Sequence, residues 1–462
     1  MHTHRQSFFA LTEAASPEIK RTPPRSEVLE ADTWDLTPLF VNDDAWEAAF
    51  TALESGFRAI TGFKDKVSES AETLLAVLEF EKSIDLQVEA LNQYVALRTT
   101  EDSANADALS REARFQALMT HVGEAFSFVS PEIQAIPDNV FESYLTNPAL
   151  TEWQTALRKL RRMKPYTLSA GEERLLALGS AVIGGHQETF SQLTNVDMKF
   201  GTIMDSKGRE IDLTQSSFSS MLVQKDPAVR KNAFHQFYAE FQDHQFTLAA
   251  SLASSVRGDV FYARARSFPS ARESALFRDD VPVSVYDSLI ASVHKNLPAL
   301  HKYYDLRKRL LGLSEIHHYD TYVPLVAEIE THIPWDGAVD RVIAAVETLG
   351  EEYVTTLAHG LRDGRWCDRY ENKGKRSGAF SYGTFQSPPY IMMNYKADVF
   401  SDVYTLAHEA GHSMHTWYST RNQNYQDYHY PIFLAEVAST FNEMLLTKHL
   451  LDETTDPRMK AY

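Results

Sequence analysis

Cysteine is almost missing from this chain, with one residue, Cys367, among 462. An internal disulfide is excluded, and so few thiols fit a reducing compartment. Cys367 lies in Arg365-Trp366-Cys367-Asp368-Arg369-Tyr370 without a partner motif and reads as a packed small residue rather than a nucleophile. Long apolar runs are missing too. No stretch approaches the roughly 20 residues that span a bilayer, and the run at Met1–Leu11 is too short for a signal peptide. The expectation is a cytoplasmic protein. Positive charge is in deficit: 45 Lys and Arg against 63 Asp and Glu give −18. That balance argues against nucleic acid and anionic membranes as partners, and simple solubility is its other reading. Internal repeats and low-complexity tracts are lacking.

What is there is ordinary for a globular enzyme: 44% hydrophobic and 23% charged residues, in a chain long enough for two or three domains. Residues 1–40 read as an arm, with order expected from near Trp34. Asn42 should cap a helix carrying Trp46, Phe50, Leu53, Phe57 and Ile60. Ser70 should open a longer one with Leu74, Val77, Ile84, Val88, Leu91 and Val95 inward, and a third should run from about Ala104 to Ser130, before Pro131. Thr151–Met163 predicts a helix whose basic residues Arg158, Lys159, Arg161 and Arg162 form a solvated face. Ser169 with Glu172 predicts a capping box, and residues 198–213 a hairpin. Asp226-Pro227 starts a helix. The helix from Val283 is expected to turn Tyr286, Leu289, Ile290, Val293 and Leu297 toward the core. His317-His318 reads as loop. A boundary near 190–205 would divide a helical domain, 41–200, from a second, 201–462. Residues 376–395 read as a small strand pair. The fold class is mostly α with a small antiparallel sheet.

One stretch carries chemistry. Thr405–His415 contains His408-Glu409-Ala410-Gly411-His412 in a proline-free segment. Histidines four apart share a helix face and can reach one Zn²⁺, with Glu409 placed to take a proton from a zinc-bound water. Two buried helix histidines are the alternative. A metzincin pattern needs glycine at 415 and histidine at 418; the chain has His415 and Tyr418. The next helical stretch offers Glu436 and Glu443 as third ligand. Glu436 sits in an apolar run, Ile432–Ala438, where a carboxylate is expected to be buried and so paired or metal-bound. A buried ion pair is the other reading, and few basic residues lie nearby in sequence.

These residues, with Phe433-Leu434-Ala435-Glu436-Val437-Ala438-Ser439-Thr440-Phe441-Asn442-Glu443, resemble oligoendopeptidase F, of the thimet-oligopeptidase-like zinc peptidases. The likeness extends upstream through Tyr370–Ser381, Pro389–Asn394, Val281–Tyr286, Lys164–Ser169 and Asp32–Phe40. It implies a multi-helical zinc peptidase that hydrolyses internal bonds of short oligopeptides. The expected metal is one Zn²⁺ per chain on His408, His412 and Glu436, with Glu409 as general base. Gly378, Ala379, Phe380 and Tyr390 are expected to line the peptide, received along a strand edge. Glu443 and Asp402 are the candidates for steadying the metal-binding imidazoles. The family continues past the third ligand, and its later segment supplies a tyrosine and a histidine that this chain, ending at Tyr462, does not match. A catalytically weak or inactive zinc- or peptide-binding relative, or a fragment, is therefore the alternative, and apolar surface beside the site is expected to lie open.

Overall fold

The computed structural model describes residues 23–326 and 331–461. Most of the expected N-terminal arm, 1–22, lies outside the described residues. Order begins earlier than Trp34: Arg25 already pairs with Asp368 (2.5 Å) and Glu101 (3.1 Å), binding the arm across the fold.

Three helices make the first layer. Asn42 accepts from the Ala45 amide to open α1 (Asp43–Gly56), and Ser70 accepts from Thr73 to open α2 (Ala71–Glu101). The third, α3 (Ala106–Phe126), stops short of Ser130. Pro131 falls in the first turns of the next helix, α4 (Val129–Ala135), where its missing N–H has no intrahelical acceptor to lose. Trp46, Phe50, Leu91, Tyr94 and Phe115 are buried between these helices. The layer closes with α5 (Asp138–Leu145) and α6 (Gln154–Arg162). The basic face of α6 is not simply solvated. Arg161 donates to the carbonyls of Ile133 (3.1 Å) and Gln134 (2.7 Å) at the end of α4, and Arg162 donates to those of Phe277 and Arg278. These arginines add hydrogen bonds to carbonyls at helix ends, where intrahelical donors run out.

The capping box at Ser169 and Glu172 opens α7 (Ala170–Gln192), which packs against a later helix of the middle region. The hairpin forms as expected from β1 (Thr202–Met204) and β2 (Glu210–Asp212), antiparallel with Ile203 opposite Ile211. After α8 (Gln215–Leu222), Asp226 caps α9 (Pro227–Asp243), followed by α10 (Gln245–Ala265), α11 (Ala271–Phe277) and α12 (Val283–Leu310). The inward face expected of α12 is wrong. Tyr286, Leu289, Ile290 and Val293 are 40–59% exposed. Periodicity marks an apolar side but not whether another element covers it, and the buried residue of α12 is Arg307. His317 and His318 lie at a short turn, as expected.

The last third holds α13 (Trp335–Ala345), α14 (Glu351–Leu361), β3 (Cys367–Asp368), β4 (Phe380–Tyr382), β5 (Tyr390–Met392), α15 (Ser401–Asn422), α16 (Ile432–Glu453) and α17 (Pro457–Ala461). The expected strand pair is present, with Ser381 opposite Ile391. The sheet is mixed rather than purely antiparallel, because β3 adds in parallel on the other side of β5. β5 is therefore central, and its residues alternate between two cores. Tyr390 and Met392 pack with the N-terminal helices, while Ile391 and Met393 pack with Leu406, Ala410 and Met414 of α15. The core of 34–118 thus includes residues from beyond the expected boundary near 200. The apolar surface expected to lie open is open: Ile432, Phe433, Val437, Phe441 and Met444 of α16 are all more than half exposed.

Candidate metal centre

The site is built by two helices packed side by side. His412 lies against Glu436, Gly411 against Ser439 and His408 against Glu443, so α15 and α16 run antiparallel. Their close approach depends on Gly411. A Cβ there would stand 2.6 Å from the Ser439 Cα and 2.8 Å from the Ala438 carbonyl oxygen, inside any real contact distance. The buried face of α16 is accordingly small and polar at the crossing, with Ser439 and Asn442, and turns apolar at Leu446.

One helical turn brings the imidazoles together, with Nε2 of His408 and His412 3.1 Å apart. Oε2 of Glu436 stands 3.2 Å from the first and 3.4 Å from the second. Donors bound tetrahedrally at about 2.0–2.1 Å are separated by roughly 3.3 Å, so this triangle matches one face of a zinc tetrahedron. Two nitrogens and one carboxylate oxygen are also a donor set that zinc takes in open sites. Among the described residues, this is the one group of His, Cys, Asp or Glu with the closeness a metal needs. The Ser439 hydroxyl donates to Oε2 of Glu436 (2.9 Å), and Glu443 Oε1 lies 2.5 Å from Nδ1 of His408. A carboxylate there holds the proton on Nδ1 and leaves Nε2 free. Burial, followed by neighbouring His408, lowers the pKa of His412, which favours the neutral ring a metal requires.

Glu409 is buried at 6% exposure, and its Oε2 has no hydrogen-bond partner. Burial is the main cause that pushes its carboxyl up to about 7; His408 opposes the shift and Glu436 adds to it. An unpartnered buried carboxyl costs stability unless something binds it.

The expectation that Glu436 is buried fails: its side chain is 62% exposed. The apolar residues around it face outward, and its place comes from the angle at which α16 meets α15. Tyr390 is also misplaced. It lies in the central strand, fully buried, and its hydroxyl donates to the Asp35 carbonyl (2.7 Å), so no peptide can touch it. Gly378, Ala379 and Phe380 lead into and begin β4, the outer strand. Asp402, expected beside the imidazoles, instead accepts from the Lys396 amide (2.8 Å) at the start of α15. Sequence reasoning missed Ser439, although its position three after Glu436 on one helix could have revealed it. It also missed the bond between Ser413 and Ser381 (2.8 Å) that ties α15 to β4.

Comparison with known proteins gives a consistent picture. The profile of Peptidase family M3 matches residues 220–461, and that of Oligopeptidase F matches 132–200. The chain is 37% identical over 453 residues to Oligopeptidase PepF of Bacillus subtilis, covering 98% of this chain and 67% of that protein. It is 35% identical to Group B oligopeptidase PepB of Streptococcus agalactiae, covering 94% and 72%. Among solved structures, oligoendopeptidase-F from Enterococcus faecium aligns with a TM-score of 0.63 at 29% identity, over 90% of this chain and 69% of that one. A Chlamydophila abortus protein aligns at 0.85 and 33%, over 96% and 74%.

Proposed function

The chain belongs to peptidase family M3, and from that premise we propose that it is a zinc-dependent endopeptidase cutting internal bonds of short peptides. His408, His412 and Glu436 hold one Zn²⁺ per chain, and Glu443 keeps the His408 ring in the tautomer that presents Nε2. Zinc in such a site supplies a Lewis acid and lowers the pKa of a water. Glu409 acts as general base, taking the proton and passing it to the leaving nitrogen. The outer edge of β4, approached through Gly378 and Ala379, receives the peptide by main-chain hydrogen bonds, a mode that tolerates many side chains. The relatives' names, oligopeptidase and oligoendopeptidase, support short substrates. A single buried cysteine supports a reducing, cytoplasmic setting.

The observation that carries the reading is the 3.1, 3.2 and 3.4 Å triangle of donors beside a buried, unpartnered Glu409. The test is cleavage of a quenched fluorescent peptide, with and without a chelator, alongside zinc content. Glu409→Gln is expected to keep one zinc and lose about 10²–10⁴-fold in kcat. His408→Ala is expected to lose zinc. Equal zinc in the wild type and both variants would refute the ligand set, and full activity in Glu409→Gln would refute the base.

A further inference from the structure

The reaction proposed above makes no use of Glu89, yet its carboxylate is where two separate loops meet α2. Oε1 accepts from the hydroxyls of Tyr428 (2.7 Å) and Tyr425 (3.1 Å), and Nε2 of His429 stands 3.6 Å from it. Oε2 accepts from the main-chain N–H of Phe385 (3.2 Å). Tyr425, Tyr428 and His429 belong to the linker between α15 and α16, and Phe385 to the turn between β4 and β5. One turn further along α2, Gln93 donates to the Tyr382 carbonyl of β4 (2.8 Å) and accepts from Thr384 (2.9 Å).

Burial by itself would raise the pKa of Glu89. His429, Tyr428, the Phe385 amide and Tyr425 together outweigh it and hold the carboxyl below its usual range. Glu89 is therefore an anion at neutral pH. Three donors, two on Oε1 and one on Oε2, suit a carboxylate that accepts at both oxygens, whereas a glutamine would have to turn its NH2 toward one side of this set.

We propose that Glu89 is a positioning residue for peptide hydrolysis, fixing the strand that receives the peptide relative to the helix that carries Glu436. It does so by holding the β4–β5 turn and the α15–α16 linker on one charged group. This inference rests on the peptidase reading, so its test has an arm that does not need cleavage. The full chain bearing Glu89→Gln, loaded with zinc, is compared with wild type by hydrogen exchange and by peptide kinetics. Exchange in residues 383–389 and 423–431 is expected to rise about 10- to 100-fold, the scale of a lost charged hydrogen bond. KM is expected to rise and kcat to fall, with zinc still at one per chain. Tyr428→Phe, which removes one donor, is expected to shift the same quantities in the same direction by less.

Unchanged exchange in both segments would overturn the proposal. So would a uniform rise across the molecule with normal kcat and KM in the folded fraction, which is what a merely structural role predicts. A loss of activity that only tracks lost zinc would also overturn it. Failure of the wild type to cleave would overturn the peptidase reading instead, and the exchange arm would still decide whether Glu89 holds the two segments.

Discussion

Replacing Gly411 by alanine should push apart the two helices that carry the donors. The new Cβ would stand 2.6 Å from the Ser439 Cα and 2.8 Å from the Ala438 oxygen, both main-chain atoms that cannot swing aside. Carbon contacts relax at about 3.5–4.0 Å, so α16 must retreat by roughly 1 Å. Ser439 is one turn from Glu436, so the retreat opens the 3.2 and 3.4 Å edges of the donor triangle. Edges beyond about 4 Å no longer suit one ion with bonds of 2.0–2.1 Å. Overpacking costs about 1–3 kcal/mol, and the gain in helix propensity offsets about 1 kcal/mol of it. Zinc titration against a competing chelator should show affinity lower by about tenfold or more, and the metal-free variant should melt below wild type. An alanine variant with wild-type zinc affinity and a raised Tm, as propensity alone would give, would refute the close-approach reasoning.

Glu443→Ala should weaken zinc binding about 10- to 100-fold while leaving the fold intact, because it frees the His408 ring; unchanged affinity in the same titration would remove Glu443 from the site. The side chain of Lys375 is fully buried, pairs with Asp368 (2.6 Å) and donates to the carbonyls of Tyr370 (2.7 Å) and Met393 (2.6 Å). Because Arg25 still pairs with Asp368 (2.5 Å), Lys375→Met should cost about 1–3 kcal/mol in urea unfolding through the carbonyls left without a donor, and no measurable cost would show that the network matters little. Burial pushes Glu81 up to about 7 from 4.5, with Asp85 adding to the shift. The folded state therefore holds this proton more tightly, and stability falls as pH rises between those values and levels off above them. Glu81→Gln should stabilise the protein by on the order of 1–3 kcal/mol at about pH 8 and by little at about pH 4; an equal effect at both would contradict the assignment.

The helix caps at Asn42, Ser70, Ser169 and Asp226 were legible because each is a local matter of one side chain and a nearby amide. The histidine pair was legible for the same reason, since four residues on a helix fix their relation. Glu436 was reached by an argument from burial that the structure does not support, and it belongs in the site through the crossing of two helices. That crossing depends on Gly411, whose Cα faces the Ser439 backbone. Tyr390 was misread because a short apolar strand looks the same at an edge or in the middle of a sheet. β3 has only two residues and so no alternation to detect. The exposed side of α12 shows the same limit: apolar spacing reports a face, never its neighbour.

The strand Tyr390–Met392 has a kinetic consequence. Its odd and even side chains dock onto partners recruited from opposite ends of the polypeptide, Trp34 among them on one side and Met414 on the other. The contacts on the Trp34 side, such as that between Tyr390 and Asp35, 355 residues apart, form slowly because the intervening loop must close first. Residues 390–392 should therefore order late in refolding, after the local helices, and β4 can pair with them only then.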